Sequence, residues 1–203
     1  NTDVVPAAPS GAAVNASITA RELDRLLATG EDRSAALLAL ACARLGLAAR
    51  SLRGGEAGIR VEGEHGHGRI REVDAAAVRC CLEEGIVPIV CGFQGEREDG
   101  ETLTLARGGS DTTAVALAAA LADRPGEVPC HIVTDVPAVY DRDPGLHPDA
   151  VPFSRLNHAA LVALTESGAR VIHPEAARLA ERHRVPLLIH SDRAPIGGAP
   201  TGT

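Results

Sequence analysis

The chain has 203 residues, 45% of them hydrophobic, and no apolar run of about 18 residues, so it is read as one large folded domain rather than a disordered chain or a helical membrane span. A formal net charge of −7 argues against nucleic acid as the main partner. All 20 basic residues are arginine, which removes lysine from any phosphate contact, and the five cysteines show no CxxC spacing, so they read as reduced, mostly buried side chains of a cytoplasmic protein and not as zinc ligands.

Asn1 to Ser17 is rich in Pro, Ala, Gly and Ser and reads as a loop or tail, which places residues 1–18 outside a folded domain spanning 19–203. Thr19 with Glu22 three residues on makes a capping box for a helix carrying Leu23, Leu26 and Leu27 on one stripe. Ala28-Thr29-Gly30-Glu31 breaks that helix and Ser34 to Leu45 resumes it, so Glu31 falls between two helical segments, where a carboxylate can face a cleft. Ala48 to Leu52 suits a short strand, and Gly54 to Gly68 reads as a long polar loop. His65 and His67 in that loop have no acidic or cysteine partner at a diagnostic spacing, so no metal site is assigned to them. Val73 to Glu84 follows as an amphipathic helix. Ile86 to Cys91 is a continuous apolar run, the pattern of a parallel strand covered on both faces. Gly92-Phe93-Gln94-Gly95 closes it, and Asp99-Gly100 is a hairpin turn.

Leu103 to Ala120 reads as strand, tight polar turn and helix, with Ser110 or Asp111 as N-cap. The two glycines of Arg107-Gly108-Gly109-Ser110-Asp111 let backbone N–H groups approach a ligand, and a helix N-terminus favours an anion. Arg107 adds a planar fork that matches a carboxylate, and Asp111 sits where it can position a cation or a reacting centre. His131 to Asp135 is another strand, with Thr134, Asp135, Tyr140 and Asp143 just beyond its carboxyl end, where ligands of open α/β sheets sit. A helix over Asn157 to Ser167, an extended Ala169 to Ile172, a helix over Glu175 to His183 and a last strand over Val185 to His190 complete the chain. This alternation predicts an α/β fold, a three-layer αβα sandwich with a mostly parallel central sheet.

The blocks LLATGE (Leu26 to Glu31), GFQG (Gly92 to Gly95), LARGGSDTTAVALAAAL (Leu105 to Leu121), TDVPAVYDRDP (Thr134 to Pro144) and SGARVIHPEAARLAERHRVPL (Ser167 to Leu187) occur in order. Together they resemble the aspartate kinases of the amino-acid kinase family, from about Arg21 onward. The resemblance implies transfer of the γ-phosphoryl of ATP, carried with Mg²⁺, to the side-chain carboxylate of L-aspartate or a close analogue. It implies that Glu31 holds the ammonium group and Arg107 a carboxylate, with Phe93 and Ser110 lining the pocket. It further implies that Asp111 organises the transfer, that Thr134, Asp135, Tyr140 and Asp143 line the nucleotide site, and that Arg170 takes the place of a family lysine at the phosphates. Partners implied are the amino acid, the nucleotide, and a second copy or another subunit. The family's Lys-Phe-Gly-Gly-Thr-Ser loop has no match in Asn1 to Ala20, Gly145 replaces a family arginine, and the regulatory ACT domains have no counterpart before Thr203. With fewer cationic phosphate contacts, weak nucleotide binding and slow transfer are expected of these 203 residues. The alternative is a catalytically impaired pseudokinase that keeps the amino-acid pocket as a binding or regulatory subunit.

Overall fold

The computed structural model describes residues 11–135, 138–142, 145–169, 171–192 and 201–202. Its first element is a single helix, α1, Gly11–Arg44, of 34 residues. Two expectations are overturned here: the helix starts well before Thr19, through the segment read as a tail, and it does not break at Ala28 to Glu31. Gly30 costs a helix interior about 1 kcal/mol relative to alanine. That cost is offset by good helix formers on both sides and by a clamp from outside, since the Gln94 side-chain amide donates to Ala28 O at 3.3 Å and Asp32 Oδ1 at 3.0 Å. Glu31 therefore projects from a helix, not from a gap between two. Away from this clamp, Leu23, Leu26, Leu37, Leu38 and Leu40 remain exposed along α1.

Strand β1, Ala49–Leu52, lies parallel to β4, Val87–Val90, with Ala49 opposite Val87 and Leu52 opposite Val90. Val87 is exposed, so β4 is less covered than its apolar run predicts. Between them the segment read as loop and helix forms a hairpin, β2, Ile59–Glu62, with β3, Arg69–Val73, antiparallel and bulged at Arg60/Val61. The alternation in Ile59-Arg60-Val61-Glu62 carries the reason: Ile59 and Val61 are buried, and their flanking glycines form the turns. Helix α2 is correspondingly short, Ala76–Glu83. Strands β5, Gln94–Glu96, and β6, Thr102–Thr104, form the expected hairpin, and β5 pairs parallel to β2.

Helix α3, Gly109–Leu121, leads to β7, Cys130–Thr134. Helices α4, His158–Glu166, and α5, Pro174–His183, precede β8, Leu187–Ser191, which lies parallel to β7 and antiparallel to β9, Thr201–Gly202. Asn157 caps α4 by accepting from Ala160 N at 2.8 Å, and Pro174 opens α5, as their sequences dictate. No strand forms among the described residues of Ala169 to Ile172. The result is the expected α/β sandwich, in which the described strands pair as three sheets, β1-β4, β3-β2-β5-β6 and β7-β8-β9. Two cores follow. One gathers Leu52, Ile59, Val61, Val78 and Leu103, and the other Val115, Ile132, Leu161, Leu187, Ile189 and the alanines 176, 177 and 180. Helix α3 reaches both, through Val115 and Ala118 on one side and Leu117 and Leu121 on the other.

Two outcomes follow from these elements. A Cβ on Gly30 would meet nothing within 4 Å. Gly30→Ala is therefore expected to raise stability by about 0.5–1 kcal/mol in urea unfolding, because it removes the entropy cost of glycine without a clash. In the β5–β6 turn, Arg97 grips Asp99 with two bonds, Nε to Oδ1 at 2.9 Å and Nη2 to Oδ2 at 2.7 Å, and holds that carboxyl at about 2, below its ordinary 3.8. A depressed carboxyl contributes stability above its unfolded value, lost as pH falls through the folded one. The hairpin should therefore loosen between pH 3.8 and about 2. NMR titration of the Asp99 carboxyl should show its midpoint return toward 3.8 in Arg97→Ala.

Candidate functional site

The turn before α3 is the centre of the site. Gly108 is its N-cap residue, in the left-handed region at φ 79° with no side-chain cap, so neither Ser110 nor Asp111 caps the helix as their residue types predict. The reason is steric. A Cβ on Gly108 would lie 2.1 Å from His173 Cγ, and one on Gly109 would lie 2.7 Å from Leu105 Cβ and 2.9 Å from Phe93 Cδ2. Only two glycines let the turn pass between His173 and Phe93. Asp111 is released from capping and reaches across instead, its Oδ2 accepting from His173 N at 3.1 Å. His173 in turn caps α5, its Nδ1 accepting from Glu175 N at 3.3 Å. With Gly108 as cap, the N–H groups of Gly109, Ser110 and Asp111 have no acceptor among the described residues, and the positive end of α3 is left open.

The Gly92-Phe93-Gln94-Gly95 loop closes on this turn from the other side. Gly92 lies directly beneath Ser110, where an added Cβ would stand 3.3 Å from Ser110 Cα. Phe93 takes a positive φ of 65°, costly for an aromatic residue, and its N–H donates to Thr113 Oγ1 at 3.2 Å. Just beyond it Gln94 ties the loop to α1 at Ala28 and Asp32. Cys91 ends the strand beneath, and its thiol is pushed up to about 12 by burial, by its hydrogen bond to Asp32 and by the negative charges of Asp32, Glu31 and Glu56. Glu31, Asp32, Cys91, Phe93 and Ser110 thus gather at the carboxyl ends of β1 and β4, with Arg53 held on Glu56 at 3.0 Å.

Arg107 stands apart from that group. It is exposed, has no ion-pair partner among the described residues, and lines a cleft of about 830 Å³ with Arg69 and Glu72 of β3 and Glu175 and Arg182 of α5. Glu31, Phe93 and Ser110 do not line that cleft, and no described contact joins Glu31 to Arg107. At the end of β7, Thr134 Oγ1 donates to Asp135 Oδ1 at 3.2 Å, and Asp192 N fixes the strand by donating to Thr134 O at 2.8 Å. Tyr140 is half-buried, bridged to Pro152. Its neighbour Asp141 accepts from Val151 N at 2.8 Å, and that bond, with Arg142 beside it, lowers the Asp141 carboxyl. Asp143 and Arg170 lie outside the described residues.

Sequence reasoning missed one buried group. Asp24 of α1 is 1% exposed and accepts from Gly66 N at 3.0 Å, from His65 Nδ1 at 2.8 Å and from Thr104 Oγ1. His65 is thereby a structural residue that locks the β2–β3 hairpin onto α1. The available signal was a carboxylate next to Leu23 on an apolar helix stripe, and it does not name its partners.

Comparison with known proteins bears on the family and the fold. The model of the amino acid kinase family matches residues 4–191. Aspartokinase of Geobacillus stearothermophilus is 46% identical over 171 residues, 84% of this chain and 41% of its own. Aspartokinase 2 of Bacillus subtilis (strain 168) is 45% identical over 179 residues, 88% of this chain and 43% of its own. Among solved structures, E. coli aspartokinase III in complex with aspartate and ADP superposes with a TM-score of 0.75 at 31% identity, covering 88% of this chain and 40% of that one. The chain thus spans less than half the length of the relatives it matches.

Removal of the buried acceptor gives a direct check. Asp24→Ala leaves Thr104, His65 and the Gly66 N–H without their partner, and is expected to cost about 2–4 kcal/mol in urea unfolding. Exchange of the Gly66 amide should quicken in the same variant.

Proposed function

Because the chain belongs to the amino acid kinase family, we propose that it carries the acceptor and nucleotide residues of an aspartate kinase, which phosphorylates the side-chain carboxylate of L-aspartate or a close analogue with Mg-ATP. The observation that carries this reading is the turn before α3, where three backbone N–H groups without acceptors stand beside an arginine without an ion-pair partner. Such an arrangement favours an anion, and the aspartokinase relatives say which anions to test. The complex of E. coli aspartokinase III with aspartate and ADP names the amino acid and the nucleotide class to test.

In this reading Arg107 grips a carboxylate of the amino acid in its fork, and Glu31 takes the ammonium. Phe93 and Ser110 wall the Glu31 side, and Arg107, which stands apart in the cleft beside β3 and α5, swings its fork across the turn to the carboxylate when the amino acid binds. The acceptor carboxylate is ionised at neutral pH, so no base is needed to activate it. A carboxylate oxygen attacks the γ-phosphorus, a new O–P bond forms, and the bond to the β-phosphate oxygen breaks with its electron pair leaving on ADP. The work left to the protein is alignment and charge neutralisation. The open N-terminus of α3 supplies partial positive charge, and Asp111 holds that terminus against His173. Thr134, Asp135 and Tyr140 stand at a strand end suited to ribose and base, with Asp143 and Arg170 completing the proposed nucleotide set. No observation favours an impaired kinase over a working one. Among the described residues no helix is long and apolar enough to cross a membrane, and a cytoplasmic enzyme assembled with a second copy or another subunit fits the proposal.

The experiment is ATP-dependent hydroxamate formation from aspartate with Mg²⁺, alongside titration calorimetry. Arg107→Ala is expected to weaken aspartate binding by about 1.5–3 kcal/mol, the range for a charge-assisted bond. Equal affinity in both proteins would make Arg107 a plain surface charge and sink the assignment of the pocket.

A further inference from the structure

Away from the turn before α3, two histidines meet on the outer face of β7 and β8. The inward face of these strands places Cys130, Ile132, Leu187 and Ile189 in the core. The opposite face carries His131, Val133, Leu188 and His190, with His131 exposed and His190 half-buried. The parallel register sets His131 opposite Leu188 and Val133 opposite His190, so the two imidazoles are diagonal neighbours although 59 positions apart in sequence. Their rings stack with centroids 4.9 Å apart and planes 7° from parallel, and His131 Nδ1 lies 2.8 Å from His190 Nε2.

Imidazole is among the best protein ligands for borderline divalent ions. Two metal–nitrogen bonds of about 2.0 Å at a right angle separate their nitrogens by about 2.8 Å, whereas a tetrahedral ion needs about 3.3 Å. The observed 2.8 Å is that of the ring-to-ring hydrogen bond, so it shows only that both nitrogens can reach one ion; the preference for copper and nickel follows from the Irving–Williams order. We infer that His131 and His190 form a two-point site for a tetragonal divalent transition ion of the Cu²⁺ or Ni²⁺ class, with water in its remaining positions. Without the ion, one ring nitrogen donates its proton to the other. With it, both neutral rings turn their lone pairs to the metal and hold their protons on the far nitrogens, Nε2 of His131 and Nδ1 of His190, so no net proton is released. No third His, Cys, Asp or Glu joins them as a metal-holding group among the described residues, which favours a readily exchanged ion over a permanent one. The site is independent of the kinase reading, although His131 stands three positions before Thr134 on the same strand.

The test is titration of the purified protein with Cu²⁺, read by calorimetry and by nitrogen splitting in the electron paramagnetic resonance spectrum. One equivalent with two-nitrogen coordination is expected. His131→Ala and His190→Ala should each weaken binding roughly tenfold or more, since loss of a ligand costs at least as much as loss of its supporting partner. His67→Ala should leave it unchanged. A second measurement needs no variant: bound Cu²⁺ should protect His131 and His190 of the wild-type protein from diethyl pyrocarbonate, as mapped by mass spectrometry. Unchanged stoichiometry and affinity in both alanine variants, or equal modification with and without the ion, would overturn the site and leave adventitious binding at other histidines.

Discussion

The constraint on which the candidate site depends is the passage of two glycines between two rings. Gly108 runs against His173 and Gly109 against Phe93, and neither position has room for a Cβ. Phe93 belongs to the loop that follows β4, and His173 opens α5, so one turn stitches the two cores together at a point. Helix α3 then carries the join along its length, with apolar side chains delivered to both sides. The polar part of the join is small: Asp111 on the His173 N–H and Thr113 on the Phe93 N–H. Because every group there is backbone or directly bonded to backbone, the geometry of the open helix end is set by the fold and not by flexible side chains.

Helix α1 is attached by a different logic. Its leucines are exposed, only Ala28 and Ala35 are buried among its described apolar side chains, and the rest of its inward contacts are polar: Asp24 beneath the β2–β3 hairpin, Gln94 reaching up to Ala28 and Asp32, and Arg21 on Glu101. Buried polar groups of this kind are costly unless fully bonded, and once bonded they admit one arrangement. They fix the rotation of α1 about its axis, and with it the direction in which Glu31 projects. Position along a helix face is therefore decided by hydrogen bonds in the N-terminal half and by alanine packing in the C-terminal half.

What the sequence made legible was local. The strands β4 and β7, the Asp99-Gly100 turn, the helix from Asn157 and the Pro174 start each carry their meaning within a few residues, and each forms, with β4 less covered than its apolar run implies. The failures are long-range. Nothing near Gly30 says that Gln94 will hold the helix together across it. Nothing near Ser110 says that His173 will occupy the space around Gly108 and force the cap onto glycine. Strand β2, within Gly54 to Gly68, was hidden by its flanking glycines, whose purpose becomes visible only with β3 and β5 alongside. Of the site, the glycine turn was legible from residue chemistry, and the grouping of Glu31 with Phe93 and Ser110 was an expectation from resemblance. The burial of Asp24 was not legible, because its partners lie on elements 41 and 80 positions away.

The alanine-lined contact between α3 and α5 bears on how the two halves can move. Ala176, Ala177 and Ala180 are fully buried there, facing Val115 and Ala118. Long side chains interdigitate and act as teeth that lock one helix to another in a single register. Methyl groups present a nearly smooth surface, over which small sliding shifts disturb few rotamers. The toothed point is at one end only, where His173 sits on Gly108. Helix α5 is thus pinned at its start by His173 on Gly108, while along its length it meets α3 through methyl groups and is backed by α4 in the same core.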